Sequence, residues 1–220
     1  MGNVVAADKD HPENLDREAG ASITDLSPIF DTAPYLNGHS DLVALMVLEH
    51  QADMHNLITR ANYDARRALF DGQIMNQMLK QPEDHISEST RRRIDNAGQH
   101  LLKYLLFVEE AELSEPIRGT SGFAEHFAAM GPRDGRGRSL RDFDLARRLF
   151  QFPCSYLIYS EAFDALPDPL RKSVYRQLWE ILTRRNTSET YSHLSSADRQ
   201  AILEILRETK PGLPAYWTAT

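Results

Sequence analysis

One apolar stripe constrains this chain more than any other feature. Val43, Met46, Val47, Met54, Leu57, Ile58, Ala61, Ala65 and Leu69 recur at intervals of three and four. That is the repeat of one face of an α-helix, sustained for about seven turns. Ser40-Asp41 precedes it as a capping pair, with the Ser40 oxygen expected on a free first-turn amide. Gly72 is expected to bend or end the rod, Ile74, Met75, Met78 and Leu79 continue it, and Gln81-Pro82 stops it. A second stripe, Ile94, Ala97, Leu101, Tyr104 or Leu105, and Val108, opens near Ser87 to Thr90 and is expected to close at Glu109-Glu110 and Pro116. Two long amphipathic helices joined by a short polar turn form an antiparallel hairpin.

The remaining segments are shorter. Gly122–Met130 predicts a brief helix, and Gly131 to Arg138 is a loop by composition. Ser139-x-x-Asp142 resembles a capping box, which predicts a helix to about Phe150. Asp168-Pro169 starts a helix to about Arg185, and Ser195-x-x-Asp198 starts the last one, ended by Pro211-Gly212. No convincing alternating strand and no repeat stand out. The expected fold is all-α: an irregular helical bundle over 39–220, a long N-terminal helical hairpin within it, and an extended, irregular arm over 1–38. His11-Pro12, Ser27-Pro28 and Ala33-Pro34 keep the arm out of helix.

Composition removes several classes. Cys154 is the only cysteine among 220 residues, so no internal disulfide, Cys-built metal site or CxxCH haem attachment is available. The net charge of −7 opposes nonspecific nucleic-acid binding. No apolar run approaches the roughly 18 residues of a membrane span. The N-terminus has no charged n-region followed by an apolar core, the mark of a signal peptide.

No HExxH, Glu-x-x-His or GxSxG occurs. The best local constellation is Glu49-His50-Gln51-Ala52-Asp53-Met54-His55-Asn56. His50 and Met54 share the apolar face, so the imidazole is expected inside. It is then either a ligand aimed into a pocket or a core histidine hydrogen-bonded to a neighbouring helix. His55 lies about 140° further round, too far for one metal to take both. Asn56, Arg60 and Tyr63 form a polar flank suited to an acid or propionate, or else a solvated face with Arg60 paired to Asp64. His100 is a second candidate core histidine. Arg133, Arg136, Arg138, Arg141, Arg147 and Arg148 read as an ion-paired surface, the alternative being an anion site. Cys154 reads as buried and inert, and Ser155, Tyr156, Tyr159 and Ser160 as core hydroxyls.

His39 to Gln51, Met54-His55-Asn56, Arg118 to Phe123, Gly131-Pro132-Arg133-Asp134, Gly137 to Leu140, Phe143-Asp144-Leu145, Pro153 to Tyr159 and Phe163 to Pro167 together resemble the C-terminal region of bacterial cytochrome-c-domain-like exported proteins. Longer members of that group carry a CxxCH upstream. The resemblance implies an accessory helical domain of a c-type-cytochrome-like electron-transfer protein, without haem attachment of its own. The arm would then be the remnant of a missing upstream domain. Haem c would sit in the longer relatives, the partner would be that haem domain or a redox protein, and the location would be periplasmic. The chain expressed as it stands would be cytoplasmic. The candidate cofactor-binding residues are His50, Met54, His55 and Arg60, with His50 and Met1 as metal ligands. The alternatives are a cofactor-free helical module binding a protein or small ligand, and a non-haem metalloenzyme near His50 and His55. A catalytic role is the less favoured reading.

Overall fold

The computed structural model describes the backbone of residues 3–6 and 15–20, and residues 23, 25–35 and 38–218 in full. The domain is all-α, as the stripes predict. The arm adds one element that alternation did not reveal. Strands β1 (Asn3–Ala6) and β2 (Leu15–Gly20) pair antiparallel, Val5 opposite Asp16 and Ala6 opposite Leu15, with an irregular register between Asn3 and Val5.

Helix α1 (Leu42–Leu79) is one unbroken rod of 38 residues, about 57 Å long. Asp41, not Ser40, caps it: its Oδ1 accepts the amides of Val43 at 2.9 Å and Ala44 at 3.1 Å. Its Oδ2 accepts the Ser121 hydroxyl and amide, which ties the 119–122 turn to the start of the rod. Gly72 neither bends nor ends α1. A methyl there would stand 2.9 Å from Thr90 Oγ1, so the glycine lets α2 approach closely. Lys80, left-handed at φ 52°, closes the helix.

Helix α2 (Glu88–Leu105) returns along α1. Ser87 caps it by accepting the Thr90 amide at 3.1 Å. It stops at Leu105, short of the expected Glu109-Glu110, because Phe107 and Glu109 both take left-handed backbone at φ 55° and 65°. Helices α3 (Phe123–Ala129), α4 (Glu161–Asp164), α5 (Asp168–Leu182) and α6 (Ser196–Thr209) complete the domain, with short 3₁₀ turns at Tyr156–Tyr159, Glu189–Tyr191 and Ala215–Trp217. Ser195 and Asp198 form the reciprocal capping box that their spacing predicts.

The helix expected over 139–150 is absent. Asp142 accepts the Ser139 amide at 2.8 Å, but Ser139 Oγ accepts from Arg141, so the box is half formed. Asp144 turns back onto the amides of Ala146 and Arg147, both at 3.0 Å. Such local side-chain bonds compete with helix. Leu145 is left-handed at φ 56°, and Phe143 folds against Phe150 with ring centroids 5.3 Å apart. The stacked rings join Phe127 and Tyr156 in one core.

Three further residues hold the C-terminal elements together. Arg199, 7% exposed, donates to the carbonyls of Leu194, Ile181 and Tyr191. It thereby closes the open end of α5 against α6. Trp217 is fully buried beneath Tyr175. Lys210 lays its stem over Tyr159 and Phe163 and pairs with Asp164 at 2.6 Å.

Candidate functional site

The inward stripe of α1 carries His50 into the interior, where it is 6% exposed. Its ring stacks on Phe107 with centroids 4.7 Å apart and on Tyr104 at 5.4 Å, and meets Phe150 edge-on at 5.7 Å. Nε2 lies 2.8 Å from Ser155 Oγ. Ser155 is itself fully buried and also accepts the Leu157 amide at 3.2 Å. Burial pushes the imidazole down to about 4, against a smaller upward pull from Asp53, so the ring is uncharged at neutral pH. Nδ1 has no hydrogen-bond partner among the described residues and is not closed off from solvent. His50 lines a cleft.

That cleft holds about 300 Å³ between α1, the end of α2 and Leu149. Its floor is the ring stack of His50, Tyr104 and Phe107. Four carboxylates line it, Glu49, Asp53, Glu109 and Glu110, and no lysine or arginine does. Tyr104 donates to Asp53 Oδ2 at a long 3.4 Å. Burial pushes its phenol up to about 12, and the charges of Asp53, Glu49 and Glu110 add to the effect. Those three acids thus converge electrostatically on one hydroxyl. Burial also raises Glu110, whose Oε1 accepts the Leu149 amide at 3.1 Å.

The outer wall is the left-handed stretch after α2. Each non-glycine residue in that region costs about 1–3 kcal/mol and needs surrounding structure to hold it. Val108 donates to Lys103 O at 2.9 Å, Glu110 to Phe107 O at 3.2 Å, and Ser155 to Leu105 O at 2.8 Å. His193 Nε2 donates to Leu106 O at 2.8 Å. A second cleft, of about 670 Å³, lies against the same wall and includes Arg148, His193 and Asp198. Its polar groups are largely satisfied internally: Arg148 pairs with Asp198 at 2.8 Å, and Ser195 with Asp198 at 2.6 Å.

The other expected site residues do not converge on His50. Met54 is fully buried in the core and does not line the cleft. His55 is half-buried on the next face, and Arg60 is exposed, 3.9 Å from Asp64. Met1 lies outside the described residues. Among those residues, no group of three or more His, Cys, Asp or Glu is placed to hold a metal ion. His100 is exposed, which corrects its expected place in the core. Its position is about 100° of rotation away from Leu101, the centre of the buried stripe.

Five of the six loop arginines are ion-paired: Arg133 with Asp142, Arg136 with Glu204, Arg138 with Asp134 and Glu204, Arg147 with Asp144, and Arg148 with Asp198. Arg141 differs. Its guanidinium sits 4.5 Å from the centroids of both Phe127 and Tyr156. Cys154 is fully buried, and burial raises its thiol. The neighbouring hydroxyls are satisfied, Tyr156 on Gln51 at 3.1 Å and Tyr159 with Thr209 at 2.6 Å.

Tyr104, Phe107, Glu109 and Glu110 escaped sequence reading as site residues. The only available signal was an acid pair directly after an apolar stripe, which reads equally well as a helix end. Comparison with protein-family models, curated proteins and solved structures finds no match.

Proposed function

We propose that this chain is a helical ligand-binding module whose His50 cleft takes an organic ammonium ion with a small apolar body. One observation carries the reading: four carboxylates and no lysine or arginine surround a floor of stacked aromatic rings. Aromatic faces and carboxylates both attract a cation, and desolvation strengthens each attraction. The uncharged His50 adds no repulsion. In the tautomer with its hydrogen on Nε2, Nδ1 accepts from a ligand N–H. Chemistry is not needed. Ser155, the one hydroxyl bonded to His50, is buried and remote from any substrate in solvent.

Calorimetric titration of the full chain with benzylammonium, and separately with benzyl alcohol, tests this. Benzylammonium is expected to bind saturably, benzyl alcohol weakly or not at all, and Asp53→Asn with Glu110→Gln to weaken the ammonium about tenfold. Equal affinities for the two probes would end the proposal.

The resemblance to cytochrome-c-domain-like exported proteins supplies a second reading, an accessory domain beside a periplasmic haem c domain. What favours it is an interior, uncharged imidazole, the form that ligates iron. Ser155 occupies Nε2, which leaves Nδ1 as the nitrogen not closed off from solvent. A haem titration that leaves the Soret band unchanged between the native chain and His50→Gln would remove His50 from that role.

A further inference from the structure

A third hollow, an open groove of about 640 Å³, lies between α2, α5 and the C-terminal turn. Its electrostatics are the reverse of the His50 cleft. Arg91, Arg171, Lys172 and Arg176 line it, against only Asp95 and Asp168. This local excess of positive charge sits on a chain of net charge −7. The acids are already engaged. Asp168 pairs with Arg171 and, at 3.6 Å, with Lys172, while Asp95 accepts from Ser173 and stands 3.3 Å from Arg176. Arg91 is exposed and has no ion pair among the described residues.

The floor is apolar: Ile86, Ile94, Pro169 and Pro214, with the rings of Tyr175 and Tyr216. Tyr175 is the informative residue. It is only 3% exposed, and its hydroxyl has no hydrogen-bond partner among the described residues. The oxygen is not closed off from solvent, and Tyr175 lines the groove. Burial pushes this phenol up to about 12, which keeps it a donor throughout the neutral range. A hydroxyl at the edge of solvent with no protein partner is free to donate to a ligand. Here the neighbouring charges specify an acceptor that carries negative charge.

We propose that this groove binds a carboxylate with an apolar body, such as a medium-chain fatty acid or an aryl acid. Tyr175 donates its hydroxyl to the carboxylate, Arg91 supplies the unneutralised counter-charge, and the ring of Tyr216 with Ile94 and Pro214 covers the apolar part. Arginine matches a carboxylate with two parallel N–H donors. The apolar floor accounts for the body, and the excess of bases for the sign.

Octanoate, octylammonium and acetate, each titrated into the full chain and followed by calorimetry and by the NMR shifts of Tyr175 and Tyr216, test the assignment. Octanoate is expected to bind saturably, acetate at least tenfold more weakly, and octylammonium not in this groove. Tyr175→Phe removes only the hydroxyl and Arg91→Gln only an exposed charge. Each is expected to weaken octanoate about tenfold. Asp53→Asn, in the His50 cleft, is expected to leave octanoate binding unchanged, which separates this proposal from the ammonium site. Octanoate binding that survives both groove variants overturns the assignment. So does acetate binding as tightly as octanoate, or the absence of saturable octanoate binding in the folded chain, whether or not that chain takes up benzylammonium.

Discussion

Protonating His50 should destabilise this protein in a pH window where most carboxylates are still ionised. The imidazole is 6% exposed and its folded value falls from the ordinary 6.5 to about 4. Between those limits the unfolded chain binds the proton and the folded chain does not, so stability falls as the pH drops. At roughly 1.4 kcal/mol per pH unit, the whole window is worth about 3 kcal/mol, and the step from pH 7.5 to pH 5 about 2 kcal/mol. The contribution is fully present above pH 6.5 and exhausted near pH 4. His50→Gln keeps a hydrogen-bonding side chain for Ser155 and removes the titration. Urea unfolding of both proteins at half-unit steps from pH 7.5 to 4.5 isolates the effect, because acids common to both cancel in the difference. The native chain is expected to lose about 2 kcal/mol relative to the variant by pH 5. A difference that stays flat across the series would mean that the ring is solvated in the folded state. The cleft described around it would then be wrong.

Arg199→Met should cost about 2 kcal/mol, because it removes three charge-assisted hydrogen bonds and leaves the Leu194 carbonyl without a donor among the described residues, while the Ile181 and Tyr191 carbonyls keep the amides of Arg184 and Leu194. A urea midpoint close to that of the native chain, with unchanged slope, would show that water satisfies those oxygens. Cys154 should resist a disulfide-exchange reagent under native conditions and react only at the rate of global opening, since burial keeps its thiol protonated. Fast labelling at neutral pH would contradict the packing around Pro153.

The hairpin was legible because its two stripes are long and regular enough for periodicity to overrule local noise. Gly72 shows the limit of that reading. Its helix-breaking tendency costs only about 1 kcal/mol, and the contact with Thr90 gives the missing side chain a purpose that no local pattern encodes. The 139–150 segment failed for the opposite reason. Ser139 and Asp142 have the spacing of a cap, but Asp142 and Asp144 bond to their own turns, and the stacking of Phe143 on Phe150 is a tertiary contact.

The interior place of His50 followed from its register with Val43 and Val47, and the structure puts it there. The carboxylates over it did not follow, because Glu109 and Glu110 reach the cleft through two left-handed residues just past the helix. A pair of acids after an apolar run carries no mark of that bend. Tyr175 was equally hidden: it reads as one more core aromatic until the groove beside it is seen.

Helix α2 lends residues to two of the hollows. Arg91, Ile94 and Asp95 belong to the basic one, and Tyr104 to the acidic one. The span from Asp95 to Tyr104 is about 14 Å of continuous helix. A hydrogen-bonded helix of that length behaves as a stiff strut. Any slide of α2 along its axis therefore displaces both walls together and by the same amount, so the dimensions of the two hollows are mechanically geared to each other.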